Sequence, residues 1–126
     1  MKEIIATEAA PKAIGPYSQG VLVKPFLYLS GQLPIDPNTG QLVESDVKTQ
    51  AKRVLDNIQL ILESSNLTMS NVVKTTIFLN SMNDFVSVNN IYKEYFTEDY
   101  PARSTIEVSN LPKDALVEIE VIAYTG

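Results

Sequence analysis

Residues 101–108, Pro101-Ala102-Arg103-Ser104-Thr105-Ile106-Glu107-Val108, and residues 117–121, Val117-Glu118-Ile119-Glu120-Val121, read as two β-strands. Side chains alternate across a strand, so Arg103, Thr105 and Glu107 share one side of the first, and Glu118 and Glu120 share one side of the second. If these strands pair with each other, a guanidinium and carboxylates stand on one sheet face. An arginine there can clamp a small carboxylate ligand through its planar fork, and a glutamate can accept a proton or hold a water. The competing reading is a cross-strand ion pair on a wet face.

Working outward, residues 3–7, 18–24 and 26–32 read as three strands, the last two rich in Val, Leu, Phe and Tyr and broken at Lys24-Pro25. Gly15-Pro16-Tyr17 and Asp36-Pro37-Asn38-Thr39-Gly40 are turn signals. Over 46–64 the period becomes helical, with Val47, Ala51, Val54, Leu55, Ile58, Ile61 and Leu62 on one stripe and Ser45 or Asp46 able to cap its start. Residues 72–80 form another strand. Ser81-Met82-Asn83-Asp84 resembles a capping box with Asp in the place of Glu, opening a second helix with Phe85, Val88, Ile91, Tyr92, Tyr95 and Phe96 on its apolar stripe. Strands 102–109 and 115–125 close the chain. The order β-β-β-α-β-α-β-β is an α+β arrangement, a mixed sheet with both helices most economically placed on one face. On the last strand Val117, Ile119, Val121 and Ala123 would face the helices. Leu116, Glu118, Glu120, Ile122 and Tyr124 would face away, a surface too apolar for plain solvent and too charged for a core. A face of that kind is closed by oligomerisation, with ligand clefts between copies.

Composition excludes a good deal of chemistry. The 126 residues are one domain by size, 1–126, with 44% hydrophobic content and no run long enough to span a bilayer. The N-terminal residues lack the long apolar stretch of a signal peptide, so a cytoplasmic protein is expected. Without cysteine or histidine there is no thiolate nucleophile, no Ser-His-Asp triad and none of the usual zinc sites. An all-carboxylate magnesium or calcium site is compatible with the composition, but no EF-hand-like cluster appears, and no metal is assigned. The net charge of −5, with scattered Lys and Arg, opposes nucleic-acid binding, and five glycines never take the spacing of a phosphate loop.

Four segments, in this order and spacing, resemble the RidA family of enamine/imine deaminases, the YjgF-type proteins. They are Ala13-Ile14-Gly15-Pro16-Tyr17-Ser18-Gln19-Gly20, Ser30-Gly31-Gln32-Leu33-Pro34, Val73-Lys74-Thr75-Thr76-Ile77-Phe78-Leu79, and Tyr100-Pro101-Ala102-Arg103-Ser104 running on to Glu118-Ile119-Glu120. The resemblance covers essentially the whole chain. It implies a chorismate-mutase-like fold, a homotrimer with clefts between subunits, and cofactor-free hydrolysis of 2-iminobutanoate and 2-iminopropanoate to 2-keto acids and ammonia. These imines arise as by-products of pyridoxal-phosphate enzymes.

By position, the resemblance gives Arg103 the substrate carboxylate and Glu118 the attacking water, and puts Tyr17 against the substrate in the cleft. Asn89 would contribute from the cleft wall. Gly31 and Thr105 would act through backbone groups, and Ser30 and Gln19 as polar neighbours. Many relatives carry Cys where Thr105 stands. From the residues themselves Glu120 competes with Glu118, Glu118 can pair with Arg103 or Lys74, and Asn89 can be plain helix surface. Tyr92, Tyr95 and Phe96 read as core. Two further functions stay open: a noncatalytic module that binds or senses 2-keto or amino acids through Arg103, and a ribonuclease or translation inhibitor, which the acidic charge makes weaker.

Overall fold

The alternation along residues 117–124 decides how the sheet is covered. In the computed structural model, which describes residues 1–126, Val117, Ile119, Val121 and Ala123 are buried, whereas Glu120 and Tyr124 are exposed. The strands are β1 (Glu3–Ile5), β2 (Gly20–Val23), β3 (Phe26–Gln32), β4 (Val72–Leu79), β5 (Ala102–Glu107) and β6 (Val117–Tyr124). They form one six-stranded sheet in the order β1-β2-β3-β6-β4-β5, antiparallel except for the parallel β4–β5 pair. The helices α1 (Val47–Ser64) and α2 (Phe85–Tyr95) pack on one face, which confirms the α+β reading with helices on a single side.

The stripe of α1 supplies most of the core. Ala51, Val54, Leu55, Ile58, Ile61 and Leu62 have no exposed surface and join Leu27, Ile77, Leu79, Ile119 and Val121 in one cluster of 22 buried residues. Each buried Leu or Ile contributes roughly 1.5–3 kcal/mol of transfer free energy. The helix starts at Asp46, not Ser45, because Asp46 Oδ2 accepts from the Thr49 amide at 2.9 Å and from Thr49 Oγ1 at 2.8 Å. It ends where Asn66, at φ 61°, reverses the chain and the Leu67 amide bonds back to the Leu62 carbonyl. Two buried polar residues on α1 hold neighbouring backbone. Gln50 Oε1 accepts from the Leu116 amide at 2.8 Å, and Asn57 Nδ2 donates to the Leu33 and Ile35 carbonyls.

Three expectations change. The first two strands are shorter than read, since the strap 6–19 leaves the sheet between β1 and β2 and Lys24-Pro25 turns β2 into β3. The Ser81 box is incomplete: Ser81 Oγ accepts from the Asn83 amide at 3.2 Å, but residues 82–84 make a 3-10 turn and the Asp84 side chain takes no bond from the Ser81 amide, while Glu107 accepts from the Met82 amide at 2.7 Å. The largest correction concerns pairing. β5 pairs with β4, and β4 separates it from β6, so the strands of Arg103 and Glu118 are not neighbours. Arg103 stands opposite Thr75, which stands opposite Val121, all on the helix-covered side. Glu118 stands opposite Phe78 on the open side. The guanidinium and the carboxylate of one chain therefore project from opposite faces of the sheet.

Candidate functional site

Arg103 lies on the edge strand, where α2 overhangs it. Phe85, Asn89 and Tyr92 recur at helical spacing on the face of α2 turned toward that edge. Arg103 Nη1 donates to Asn89 Oδ1 at 2.8 Å, and its guanidinium carbon sits 4.9 Å from the Tyr92 ring centre and 5.6 Å from that of Phe85. Both distances suit a cation over an aromatic face. Asn89 is thus not plain helix surface. The Tyr92 hydroxyl in turn bonds Thr75 Oγ1 at 2.8 Å, and both residues are buried. A cavity of about 450 Å³ opens beside the guanidinium, lined by Asn89, Tyr92, Lys93, Tyr100, Pro101 and Arg103. No carboxylate pairs with Arg103, since the ion pair in the chain is Lys52–Glu94 at 3.4 Å between the two helices. The ion-pair reading of Arg103 falls away, and its remaining donors are available to a ligand.

Glu118 belongs to a second constellation, on the open face beside the β3 bulge. Its carboxylate lies directly over Gly31: a Cβ built there would collide with Glu118 Oε2 and stand 2.9 Å from Glu118 Cδ. A Cβ at position 31 would push that carboxylate aside. Burial pushes the Glu118 carboxyl above the ordinary glutamate range, and the charge of Glu120 pushes it the same way. It does not pair with Lys74, whose ammonium reaches Ser104 Oγ at 3.5 Å instead. Ser30, next to Gly31, donates its hydroxyl to the Ser18 carbonyl at 2.6 Å. Gln19 is buried; its Nε2 donates to the Thr7 and Pro11 carbonyls at 3.0 and 2.7 Å, and its Oε1 accepts from the Thr7 amide at 2.6 Å. Both of its amide hydrogens are committed to tying down the strap. Tyr17 stands 53% exposed on that strap, after Gly15 at φ 126°, and its hydroxyl accepts from the Ile14 amide at 3.4 Å. A groove of about 370 Å³ runs between the strap and β1, with Tyr17 on its wall.

Thr105 is on the Arg103 side, opposite Ile77, and its Oγ1 is buried without a hydrogen-bond partner. The residues named from sequence thus fall into two groups. Arg103, Asn89 and Thr105 form one, and Tyr17, Gln19, Ser30, Gly31 and Glu118 the other. β2, which follows the Tyr17 strap, is four strand spacings from β5, or roughly 20 Å.

The whole-chain motif spacing has a counterpart in known proteins. The family model described as endoribonuclease L-PSP matches residues 7–125. The chain belongs to this family, the YjgF/RidA proteins. Among its relatives, a RutC family protein of Pyrococcus horikoshii is 54% identical, over 98% of each chain. The human 2-iminobutanoate/2-iminopropanoate deaminase is 48% identical, covering all of this chain and 92% of its own. The solved structure of the Rid family protein YyfA from Yersinia pestis is 53% identical, with a TM-score of 0.96 over 98% of this chain and 99% of its own. That likeness bears out the expected chorismate-mutase-like architecture.

Sequence reasoning missed two members of this candidate site in the RidA-family chain. Phe85 and Tyr92 read as core because they lie on the α2 stripe, and they are partly and fully buried as expected. Their second property, one ring face turned to Arg103, depends on β5 lying under that end of α2. The available signal was the i, i+4, i+7 spacing of Phe85, Asn89 and Tyr92, which gathers two rings and an amide oxygen on one face.

Proposed function

We propose that this protein hydrolyses small 2-imino acids, 2-iminobutanoate and 2-iminopropanoate among them, to 2-keto acids and ammonia. The observation that carries the reading is Arg103, a guanidinium held by Asn89 and two aromatic rings beside a cavity, with no carboxylate of its own. Charge-assisted fork bonding to a substrate carboxylate would fix the imine carbon in place. Glu118 would hold a water against the carbon of the protonated imine and take its proton as the oxygen adds, leaving a neutral tetrahedral amino alcohol. Glu118 then returns that proton to nitrogen, and loss of the hydroxyl proton as ammonia departs forms the C=O bond. A carboxylate whose proton affinity is raised by burial is a better base than an exposed one. Because an imine carbon is already electrophilic, orientation and one base suffice without histidine. The deaminase name of close relatives supports the same chemistry.

The two groups of residues must meet for this mechanism, and one chain holds them apart. We therefore infer that a second copy completes each cleft, bringing Tyr17, Ser30, Gly31 and Glu118 of one chain against Arg103, Asn89 and Thr105 of its neighbour. The family resemblance suggests three copies. The open face fits such a contact, with Phe26, Tyr28 and Tyr124 exposed together and Phe26 and Tyr124 ring centres 5.7 Å apart. The ligand and the other copies are the only partners the reading requires. Imine by-products of pyridoxal-phosphate enzymes point to the cytoplasm as its place.

The decisive experiment generates 2-iminobutanoate with an amino-acid oxidase and follows semicarbazide trapping with and without the protein. Reduced trapping and faster keto-acid release are expected. Unchanged trapping with intact 2-oxobutanoate binding would mark a binding module instead. Arg103→Ala and Glu118→Gln proteins, each inactive, should recover activity when unfolded and refolded together. Random assembly predicts about a quarter of the wild-type value, because one junction in four then combines the two intact halves. A mixture that stays inactive would return the site to a single chain.

A further inference from the structure

Four residues form a closed ring of contacts around the clamp. Thr75 on β4 is the ladder partner of Arg103 on β5. Thr75 Oγ1 bonds the Tyr92 hydroxyl at 2.8 Å, Tyr92 presents its ring 4.9 Å from the Arg103 guanidinium, and Asn89, on the same helix face, takes Nη1 at 2.8 Å. Tyr92 is 4% exposed and Thr75 is fully buried, so neither hydroxyl has water as an alternative partner. Burial raises the Tyr92 hydroxyl above the ordinary tyrosine range. The phenol oxygen lies on the axis about which the ring turns, so this bond pins the far end of the ring and with it the tilt of the whole side chain. The position of the ring beneath the guanidinium is therefore set by the threonine beside Arg103 in the sheet.

We propose that the Thr75–Tyr92 hydroxyl pair is a positioning device for Arg103, setting the plane in which its free donors meet a substrate carboxylate. Two-point recognition needs the guanidinium and carboxylate planes aligned, while one-point attraction tolerates rotation. An arginine held by Asn89 alone can still pivot about that single bond. The aromatic seat removes the pivot, and the hydroxyl pair holds the seat. This rests on the clamp reading of Arg103.

The test uses the full chain and 2-oxobutanoate as the probe, with affinity read by NMR saturation transfer and turnover by the trapping assay. Tyr92→Phe keeps the ring and loses the tie, and Thr75→Val keeps the shape and loses the hydroxyl. Each is expected to weaken 2-oxobutanoate binding about 3- to 10-fold, the equivalent of one neutral hydrogen bond. Thr75→Ser should restore binding, because it returns the hydroxyl. The Tyr92→Phe/Thr75→Val double variant should bind as each single variant does, since all three lack the same bond. In an Arg103→Lys background, which lacks the planar fork, Tyr92→Phe should leave the residual affinity unchanged. Unaltered affinity in both single variants, additive losses, or the same loss in the Arg103→Lys background would overturn the proposal. Wild-type protein that neither binds 2-oxobutanoate nor removes imine would instead defeat the clamp reading itself.

Discussion

The two faces of the sheet are built from alternate residues of the same strands, yet they end in different physical states. On the covered face, Ile77, Leu79, Ile119 and Val121 meet α1 and α2 and lose nearly all exposure. On the open face, Phe26, Tyr28, Ile106 and Tyr124 remain 36–45% exposed, and Glu118 is half-buried. The covered face is satisfied within one chain. The open face is not, because it carries exposed aromatic rings together with a carboxylate whose charge burial already opposes. Arg103 sits at the margin of the first face and Glu118 in the second. The lesson is that the chemistry proposed here is divided by the sheet itself, and that folding alone does not join its halves.

The comparison can be broken at several points. Arg103→Ala should have the largest effect, a loss in kcat/KM on the order of 10³-fold, as for removal of the charge-assisted partner of the substrate carboxylate. Sedimentation should find the assembly intact, and dissociation in that variant would make Arg103 structural. Next, Ile58→Ala, on the α1 stripe that packs against the covered face, should cost about 3 kcal/mol in urea unfolding. Tyr124→Ser on the open face should change the concentration dependence of assembly more than the stability of each chain. Equal effects from the two would mean the faces do not differ as described.

Gly31→Ala should lower kcat on the order of 10²-fold by displacing the Glu118 carboxylate, a loss comparable to that of one preorganised catalytic contact. Binding of 2-oxobutanoate, which the Arg103 side supports, should survive. If binding is lost instead, Gly31 acts on the ligand directly and not through Glu118.

The smallest effect concerns protonation. Glu118 must be ionised to act as base, so activity should fall as pH drops through a value above the ordinary glutamate pKa of about 4.3. Glu120→Gln removes the repelling charge and should move that acidic limb to lower pH, though not to the ordinary value, because burial is the larger cause. A limb that disappears would make Glu120 the base. The stability change runs the other way. A carboxyl raised in the folded state costs stability while ionised, and that cost is relieved as pH falls through the folded pKa. Stability measured over this window should rise for the wild type relative to Glu118→Gln as pH falls.

Much of this was legible along the chain because it depends on local periodicity. The helix stripes, the alternation of β6 and the choice of covered and open face follow from side-chain spacing, which a sequence carries directly. The family motif likewise put Arg103, Glu118 and Gly31 on the page as candidates. What local pattern could not supply was the insertion of β4 between β5 and β6. Strand adjacency is a long-range choice, made here by a parallel β4–β5 pair that needs α2 as its crossover and by β6 returning antiparallel to both β3 and β4. That choice turned Arg103 toward the helices, gave it two aromatic rings and Asn89, and put Glu118 against Gly31 on the other side. The sequence by itself determined which residue types were available and which positions were buried. Only the tertiary structure decided which of them meet, because contact between distant segments depends on strand order and register.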